Sequence, residues 1–390
     1  MILGLVIWAL ILTGCNIIPQ PEATATAPQP TAMTPFATLS LGAGATMTAS
    51  PTAVSPTNTA EATLSPTNTA EATLSPTATM PSPDPEETIY LDDRSDPIAV
   101  LNSLVNAINR HEYLRAYSYW EENAIDLPPY EQFAQGYEET ASVQLQTGMV
   151  YGGVAAGNTF YDVPVALLAQ TEQGVTQTFT GCYRLHLGNP AIQGALPFRP
   201  LGIQSAQINQ VDNNADIQSL LEQQCLNENE EPNGQPFPIP TPPAPEVVSA
   251  DRYLDDRSNA TQVMRSFVNA INRREYIRAY DYWENQAALG PLEDFISGYE
   301  NTESVQLFTG TEITDAGAGQ RYSQVPVVMI AQISGGEVQT FSGCYAFHLS
   351  SPAIQATPPF QPWGIQSATT RRVANGSDVD QLLAQACAGS

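Results

Sequence analysis

Two stretches of this chain carry the same six residues: Tyr90-Leu91-Asp92-Asp93-Arg94-Ser95 and Tyr253-Leu254-Asp255-Asp256-Arg257-Ser258. From there the two segments stay aligned for about 135 residues, with roughly half of the positions identical and one single-residue gap. A repeat of this length corresponds to a whole domain and not to one unit of a solenoid. The sequence therefore predicts two tandem domains, at residues 89–227 and 251–390, each large enough for its own hydrophobic core.

Two segments of biased composition flank the first repeat. Residues 15–88 consist mostly of Ala, Thr, Pro and Ser, and they contain a tandem decamer at residues 55–64 and 65–74. Such a segment buries too little apolar surface to offset the entropy of ordering its backbone, so we expect a disordered tether. The Pro-rich residues 228–250 are expected to be a linker between the two domains.

The N-terminus points to a membrane anchor. Residues 1–14 contain an apolar run of about 13 residues, which is too short to span a bilayer. The run ends in Leu12-Thr13-Gly14-Cys15, which resembles the lipobox of bacterial lipoproteins. The resemblance implies that residues 1–14 are a signal peptide and that Cys15 carries lipid, although the basic start of a signal peptide is missing. We expect a lipid-anchored protein on the extracytoplasmic face of a bacterial cell membrane.

The other four cysteines recur at one spacing, because Cys225 follows Cys182 at the same distance as Cys387 follows Cys344. An even number at matching positions favours one disulfide bond in each repeat, Cys182–Cys225 and Cys344–Cys387. Two free thiols per repeat are the alternative. Metal binding is a weaker one, because the chain contains only three histidines.

The charge of the chain excludes several functions. The formal net charge is −26, and all 14 basic residues are Arg. A strongly acidic surface repels nucleic-acid phosphates, so no nucleic-acid partner is expected. The absence of Lys excludes a P-loop and Schiff-base chemistry. No motif for a cofactor or a metal ion stands out, and none is predicted.

Hydrophobic periodicity predicts the same elements in both repeats. Apolar residues at helical spacing follow Ser95, which we interpret as the N-cap of a first helix, with Pro97 in its first turn. From residue 142 the period changes to two, which predicts strands. In the clearest strand, Tyr183 and its apolar neighbours face the helices and Cys182 faces the other side. A C-terminal helix, residues 216–225, should therefore lie across the back of the sheet, held by the disulfide bond.

This order of elements resembles a known family. Two amphipathic helices end in Ala-Tyr-x-Tyr-Trp, a short helix contains Phe-x-x-Gly-Tyr, and a sheet follows. The pattern is similar to the nuclear-transport-factor-2-like (NTF2-like, SnoaL-like) family over residues 91–208 and 254–370. The resemblance implies an α+β fold of two tandem cone-shaped domains, each with N-terminal helices packed on a curled antiparallel sheet. The disulfide-linked C-terminal helix is an addition to the family pattern.

Enzymes of this family use a pocket between helices and sheet, where an Asp base acts. Here the inward strand positions are apolar, so we expect a non-catalytic protein that presents two ligand- or partner-binding modules. The partner would be a small molecule, a glycan or an envelope protein. The alternatives are a SnoaL-like isomerase or hydrolase and a structural spacer of the cell envelope. The candidate pocket residues are the repeated aromatics, which could also be simple core: Tyr113, Tyr117, Trp120, Tyr137, Tyr276, Tyr280, Trp283 and Tyr299.

Two further repeated features receive structural interpretations. The Asp-Asp-Arg-Ser motif is interpreted as a salt-bridged cap of the first helix, with a cation site as the alternative. His186 and His348 share the strand face of the cysteines, where a structural hydrogen bond is expected.

Overall fold

The structure is a computed structural model that describes residues 89–388, except residues 126, 228, 230 and 238–247. The signal peptide, Cys15 and the tether, which are predicted at residues 1–88, lie outside the described residues. All described residues belong to one compact unit of the chain. They form a mixed α+β structure with two antiparallel sheets and two disulfide bonds.

The first repeat builds a six-stranded sheet with the order β5-β4-β3-β2-β6, in which β1 also pairs with β3. Its elements, in chain order, are α1 (Pro97–Asn109), α2 (Tyr113–Tyr117), α3 (Tyr130–Gln135), β1 (Thr140–Thr147), β2 (Tyr151–Ala155), β3 (Asn158–Thr171), β4 (Thr176–Gly188), β5 (Gly202–Val211), α4 (Ile217–Glu222) and β6 (Gln235–Pro236).

The second repeat builds a five-stranded sheet with the order β11-β10-β9-β7, in which β8 pairs with β9. Its elements are α5 (Ala260–Asn272), α6 (Tyr276–Asp281), α7 (Gln286–Leu289), α8 (Leu292–Tyr299), β7 (Thr302–Thr309), β8 (Ile313–Gly317), β9 (Gln320–Ile333), β10 (Glu337–Ser350), a 3-10 turn (Pro352–Ile354), β11 (Gly364–Val373) and α9 (Val379–Ala386). In both sheets one long strand, β3 or β9, pairs along the same edge with two short strands in succession.

The first helix of the first repeat begins one residue later than the sequence predicts. Asp96, not Ser95, is the N-cap of α1, and its side chain accepts a hydrogen bond from the Ala99 N–H at 2.9 Å. A carboxylate reaches the free N–H groups of the first turn better than the preceding hydroxyl does here. Pro97 then occupies the first turn, where its missing N–H costs nothing.

Each sheet packs one face against its helices to form a hydrophobic core. In the first repeat the inward residues of β4 are Phe179, Tyr183, Leu185 and Leu187, as the alternation predicts. Each core also contacts a side chain from the other repeat. Tyr90 belongs to the core of the second repeat, and Tyr253 packs against the core of the first. The repeats therefore touch through the segments that precede their first helices.

Close strand approach explains one repeated glycine. A Cβ atom at Gly181 would lie 1.9 Å from the carbonyl oxygen of Gln207, and Gly343 has the same contact with Thr369 at 2.2 Å. Only glycine lets β5 and β11 come this near to β4 and β10.

Both predicted disulfide bonds are present. Cys182 pairs with Cys225 and Cys344 pairs with Cys387, with Cα atoms 5.1 and 4.9 Å apart. The helix before the second cysteine is α4 in the first repeat and α9 in the second. These helices pack on the outer face of β3 and β4 and of β9 and β10. The position of the C-terminal helix is thus confirmed.

The predicted linker differs from the structure at its start. Residues 235–236 form β6 and pair with β2, and the Phe237 N–H donates to the carbonyl oxygen of Val150 at 2.8 Å. The Phe237 ring packs edge-on against Tyr161, with ring centroids 4.9 Å apart. The first sheet therefore continues past residue 227 into the Pro-rich segment, and the packing of the Phe237 ring holds this segment in place.

Candidate functional site

The interior of the first repeat contains a small cavity between α1 and the sheet. Its volume is about 20 Å³, which is room for about one water molecule. Leu104, Leu167 and other apolar side chains line it, together with Tyr137 and Tyr183. Burial raises the pKa of Tyr137 to about 12, and burial raises the pKa of Tyr183 further. Both hydroxyls therefore stay neutral, and no carboxyl group lines this cavity.

The second repeat carries different side chains at three cavity positions, and one of them, Phe267, is larger than its counterpart. Met264 replaces Leu101, Phe267 replaces Leu104, and Met329 replaces Leu167. Phe267 is fully buried and contacts Trp283 and Tyr345, with ring centroids 6.3 Å apart in both pairs. Phe267 therefore adds volume at the position where Leu104 borders the cavity of the first repeat.

The structure does not bring the candidate aromatic residues together around one pocket. Of the four in the first repeat, Tyr137 lines the cavity. The Tyr113 hydroxyl donates to the carbonyl oxygen of Tyr137 at 3.1 Å. The Tyr117 hydroxyl donates to the carbonyl oxygen of Pro128 at 3.2 Å, and its ring packs on α3. Both residues therefore fasten α3 to α2.

The remaining candidates repeat these packing roles. Tyr276 donates to the carbonyl oxygen of Tyr299 at 3.4 Å, and Tyr280 donates to that of Gly290 at 2.7 Å. The indole N–H groups of Trp120 and Trp283 are buried, and neither has a hydrogen-bond partner among the described residues. The Trp120 ring packs against Tyr183 of β4, with ring centroids 6.0 Å apart, and the Trp283 ring packs against Tyr345 of β10, with ring centroids 6.1 Å apart.

The histidines on the outer sheet face make the same contacts in both repeats. His186 Nδ1 lies 2.7 Å from Glu121 Oε1, and its Nε2 lies 2.9 Å from Asn158 Oδ1. His348 has the equivalent contacts with Glu284 at 2.8 Å and Gln320 at 2.6 Å. The hydrogen bonds join the segment after the second helix to two strands, as the structural interpretation expects.

The repeated Asp-Asp-Arg-Ser motif lies where the two repeats touch. The two copies run antiparallel, with Asp93 opposite Asp256. The Arg94 N–H donates to the carbonyl oxygen of Asp255 at 2.7 Å. The Arg257 N–H donates to that of Asp92 at 2.6 Å. The motif is therefore a contact between repeats, and the interpretation as a helix cap is wrong.

Two serine side chains of the motif add to this contact, and like the backbone hydrogen bonds they act reciprocally between the two repeats. The hydroxyl of Ser258 accepts from the Asp92 N–H, and the hydroxyl of Ser95 accepts from the Asp255 N–H, both at 2.9 Å. Ser95 thus serves the other repeat instead of its own helix. We call the paired residues 92–95 and 255–258 the clasp.

A buried arginine supports each half of the clasp. Arg115 is fully buried on α2, and its guanidinium donates to Glu112 at 2.6 Å and to the carbonyl oxygen of Leu91. Arg278 makes the equivalent bonds to Glu275 and Leu254. Neither arginine was predicted from the sequence as a functional residue. The available signal was an Arg that recurs between apolar neighbours, in Leu114-Arg115-Ala116 and in Ile277-Arg278-Ala279.

Carboxyl groups of the clasp differ in their protonation. Burial alone would raise the pKa of Asp255, but the charges of Arg257 and Arg278 lower it below the usual range. Burial and the facing charge of Asp256 instead raise the pKa of Asp93 to about 7. Burial also raises the pKa of Asp256.

Within residues 89–388, as far as they are described, no group of three His, Cys, Asp or Glu side chains is placed to hold a metal ion. In the same part of the chain, no helix has the length and apolar character of a bilayer span. Comparison of the chain with protein-family models, curated proteins and solved structures finds no match. The resemblance to the NTF2-like family stays a prediction.

Proposed function

We propose that this protein is a non-catalytic, lipid-anchored protein whose repeats form a head that binds an envelope protein through its outer surface. The observation that carries the proposal is the filled interior. The cavity of about 20 Å³ compares with about 300–1,000 Å³ for typical small-molecule sites. Each sheet with its helices is, in this proposal, a cone-shaped domain of the NTF2-like type that has lost its pocket.

The two disulfide bonds agree with an oxidising, extracytoplasmic compartment. The lipobox-like residues 12–15 support attachment through Cys15. Replacing Cys15 by Ser should release the protein from the membrane fraction, because one lipidated cysteine is the proposed anchor. A C15S chain that still sediments with membranes would show that the anchor is wrong.

Two rigid loops favour surface binding. Residues 189–199 and 351–361, which we call the isoleucine loops, present Ile192 and Ile354 at 69% and 55% exposure. Gln193 braces the first loop, because its amide accepts from the Arg199 N–H and donates to the Arg199 carbonyl oxygen, both at 2.9 Å. Gln355 braces the second in the same way. Single exposed apolar residues are common, but the repetition of this one on a braced loop at the same position of both repeats supports its role as a contact for a protein partner.

Two loops on one head would strengthen such binding through avidity. The test compares an Ile192→Asp, Ile354→Asp chain with a Val175→Asp control after chemical cross-linking in intact cells. Val175 is 55% exposed, but the second repeat has Glu337 at its position, so its apolar character is not repeated. We expect the double variant alone to lose the cross-linked complex at unchanged thermal stability.

The filled interior also favours the structural spacer as a second candidate. The spacer role predicts no specific cross-linked complex for the wild-type chain. A complex that survives in the double Asp variant would contradict the role of the isoleucine loops.

The interior has its own test. NMR of full-length protein labelled with fluorotyrosine should show no shift at Tyr137 or Tyr183 on addition of benzene or indole. A Leu104→Ala chain enlarges the cavity and should respond to benzene, as apolar cavities do. A wild-type chain that binds either probe at these tyrosines would overturn the proposal of a filled interior.

A further inference from the structure

The clasp places two carboxyl groups of like charge directly opposite each other. Asp93 and Asp256 form a non-hydrogen-bonded antiparallel pair, because the hydrogen bonds run between the residues on either side of them. In such a pair the Cα atoms are about 4.5 Å apart and both side chains project to the same face. Like charges in this position repel each other.

The nearest charged groups do not cancel the repulsion between Asp93 and Asp256. Asp92 and Asp255, next in sequence, are engaged by Arg94 and Arg257 at 3.7 and 3.3 Å. On the side of the first repeat, Asp96 adds a further negative charge that faces Asp93.

Two cations approach from the second repeat. Arg252 binds Asp96 at 3.1 Å. Arg265 of α5 faces Asp256 and is half-buried, and burial lowers its own pKa. Because Arg252 is engaged by Asp96, Arg265 is the one of these two cations that acts on the pair. A single cation cannot neutralise two facing carboxylates, so the pair is stable when it holds one proton.

We propose that Asp93 and Asp256 share one proton that holds the clasp closed, and that release of this proton to solvent loosens the contact between the two repeats. With the proton in place, one carboxyl group donates to the other across the strand pair. Without it, two carboxylates face each other in a half-buried contact, and their repulsion opposes the backbone hydrogen bonds of Arg94 and Arg257 and the hydroxyl contacts of Ser95 and Ser258.

The direction of the effect follows from the raised pKa of Asp93. An ordinary Asp in the unfolded chain ionises near pH 4, whereas Asp93 in the clasp ionises near pH 7. The stability from the bound proton is therefore complete below about pH 4, and it is lost as the pH rises through about 7. The clasp is tightest in acid and loosens above neutrality.

Hydrogen exchange of the full chain, read by mass spectrometry from pH 5.5 to 8.5, tests the proposal. After correction for intrinsic exchange rates, protection of the peptides that cover residues 91–96 and 254–259 should fall at least tenfold as the pH rises. Peptides of β9 serve as an internal reference and should keep their protection. Asp93→Asn and Asp256→Asn should each abolish the fall, because an amide facing a carboxylate needs no shared proton.

Asp294→Asn is the matched control, because Asp294 is exposed on α8. This control should behave like the wild-type chain. A tenfold fall that persists in both Asn variants, or no fall in the wild-type chain, would overturn the proposal. If neither Asn variant folds, carbon-13 NMR of the wild-type carboxyl groups decides the question. One Asp must then titrate near pH 7, and titration of every Asp below pH 5 would refute the shared proton.

Discussion

Replacement of Arg115 by Met tests the buried support of the clasp. The guanidinium donates to Glu112 at 2.6 Å, to Asn106 Oδ1 at 2.8 Å and to the Tyr119 hydroxyl at 3.2 Å. It also donates to the carbonyl oxygen of Leu91, directly before the clasp. Met matches most of the side-chain volume but none of these donors. The substitution therefore removes the charge and the hydrogen bonds with little change in packing.

The expected loss is about 3–5 kcal/mol of unfolding free energy. It arises because Asn106 Oδ1, the Tyr119 hydroxyl and the Leu91 carbonyl oxygen lose this donor, and because Glu112, whose side chain is 4% exposed, keeps only Arg110 as a charged partner, at 2.9 Å. A chain that also carries Glu112→Gln removes that charge. The double variant should therefore lose less than the sum of the two single variants.

Urea unfolding of full-length protein at pH 7 measures these differences. The matched control is Arg372→Met, because Arg372 and its partner Glu337 are both 56% exposed and lie 2.9 Å apart. An ion pair that is exposed on both sides adds little to stability, so the control should change little. Arg278→Met in the second repeat should cost as much as Arg115→Met. Equal and small losses for Arg115→Met and Arg372→Met would refute the reasoning.

Three further substitutions test other parts of the structure. Cys182→Ser with Cys225→Ser removes the first disulfide bond and should cost about 2–5 kcal/mol in thermal unfolding, and an unchanged melting temperature would contradict a stabilising role. Tyr117→Phe removes a hydroxyl that is bonded to a main-chain carbonyl oxygen at 3.2 Å. Its cost should be about 1 kcal/mol, and lost partner binding at unchanged stability would instead place Tyr117 in a binding site. Leu104→Phe copies the second repeat, so its cost in urea unfolding should stay below about 1.5 kcal/mol, and a larger loss would show that the cavity cannot accept the ring.

The disulfide pairing and the inward strand faces were predictable because each leaves a local or repeated signal. The strand face of Tyr183 follows from strict alternation, which is set by the pleat of a strand. Equal cysteine spacing in two copies restricted the pairing to one bond in each repeat. The elements between these features could also be placed, with boundaries off by a few residues.

The clasp could not be predicted because its partner lies more than 150 residues away in the chain. A short polar motif before a helix carries the local signature of a cap, and Ser95 fits that signature. Its hydroxyl instead serves the other repeat, a contact that no periodicity encodes. The burial of Arg115 was not predicted for a related reason, because a charged residue normally lies on the exposed face of a helix. The packing of Phe237 on the first repeat was not predicted because its Pro-rich surroundings indicate a linker.

The central claim is that the clasp joins the two repeats into one head, and cleavage of the linker tests it most directly. A protease site placed within residues 238–247 of the full chain allows the repeats to be cut apart after folding. Neither disulfide bond links the two halves, so only noncovalent contacts remain. We expect the cut halves to co-elute in size-exclusion chromatography at pH 6, and to separate more readily when Ser95→Ala and Ser258→Ala remove the two hydroxyl contacts. Separate elution of the cut wild-type halves at micromolar concentration would contradict the account.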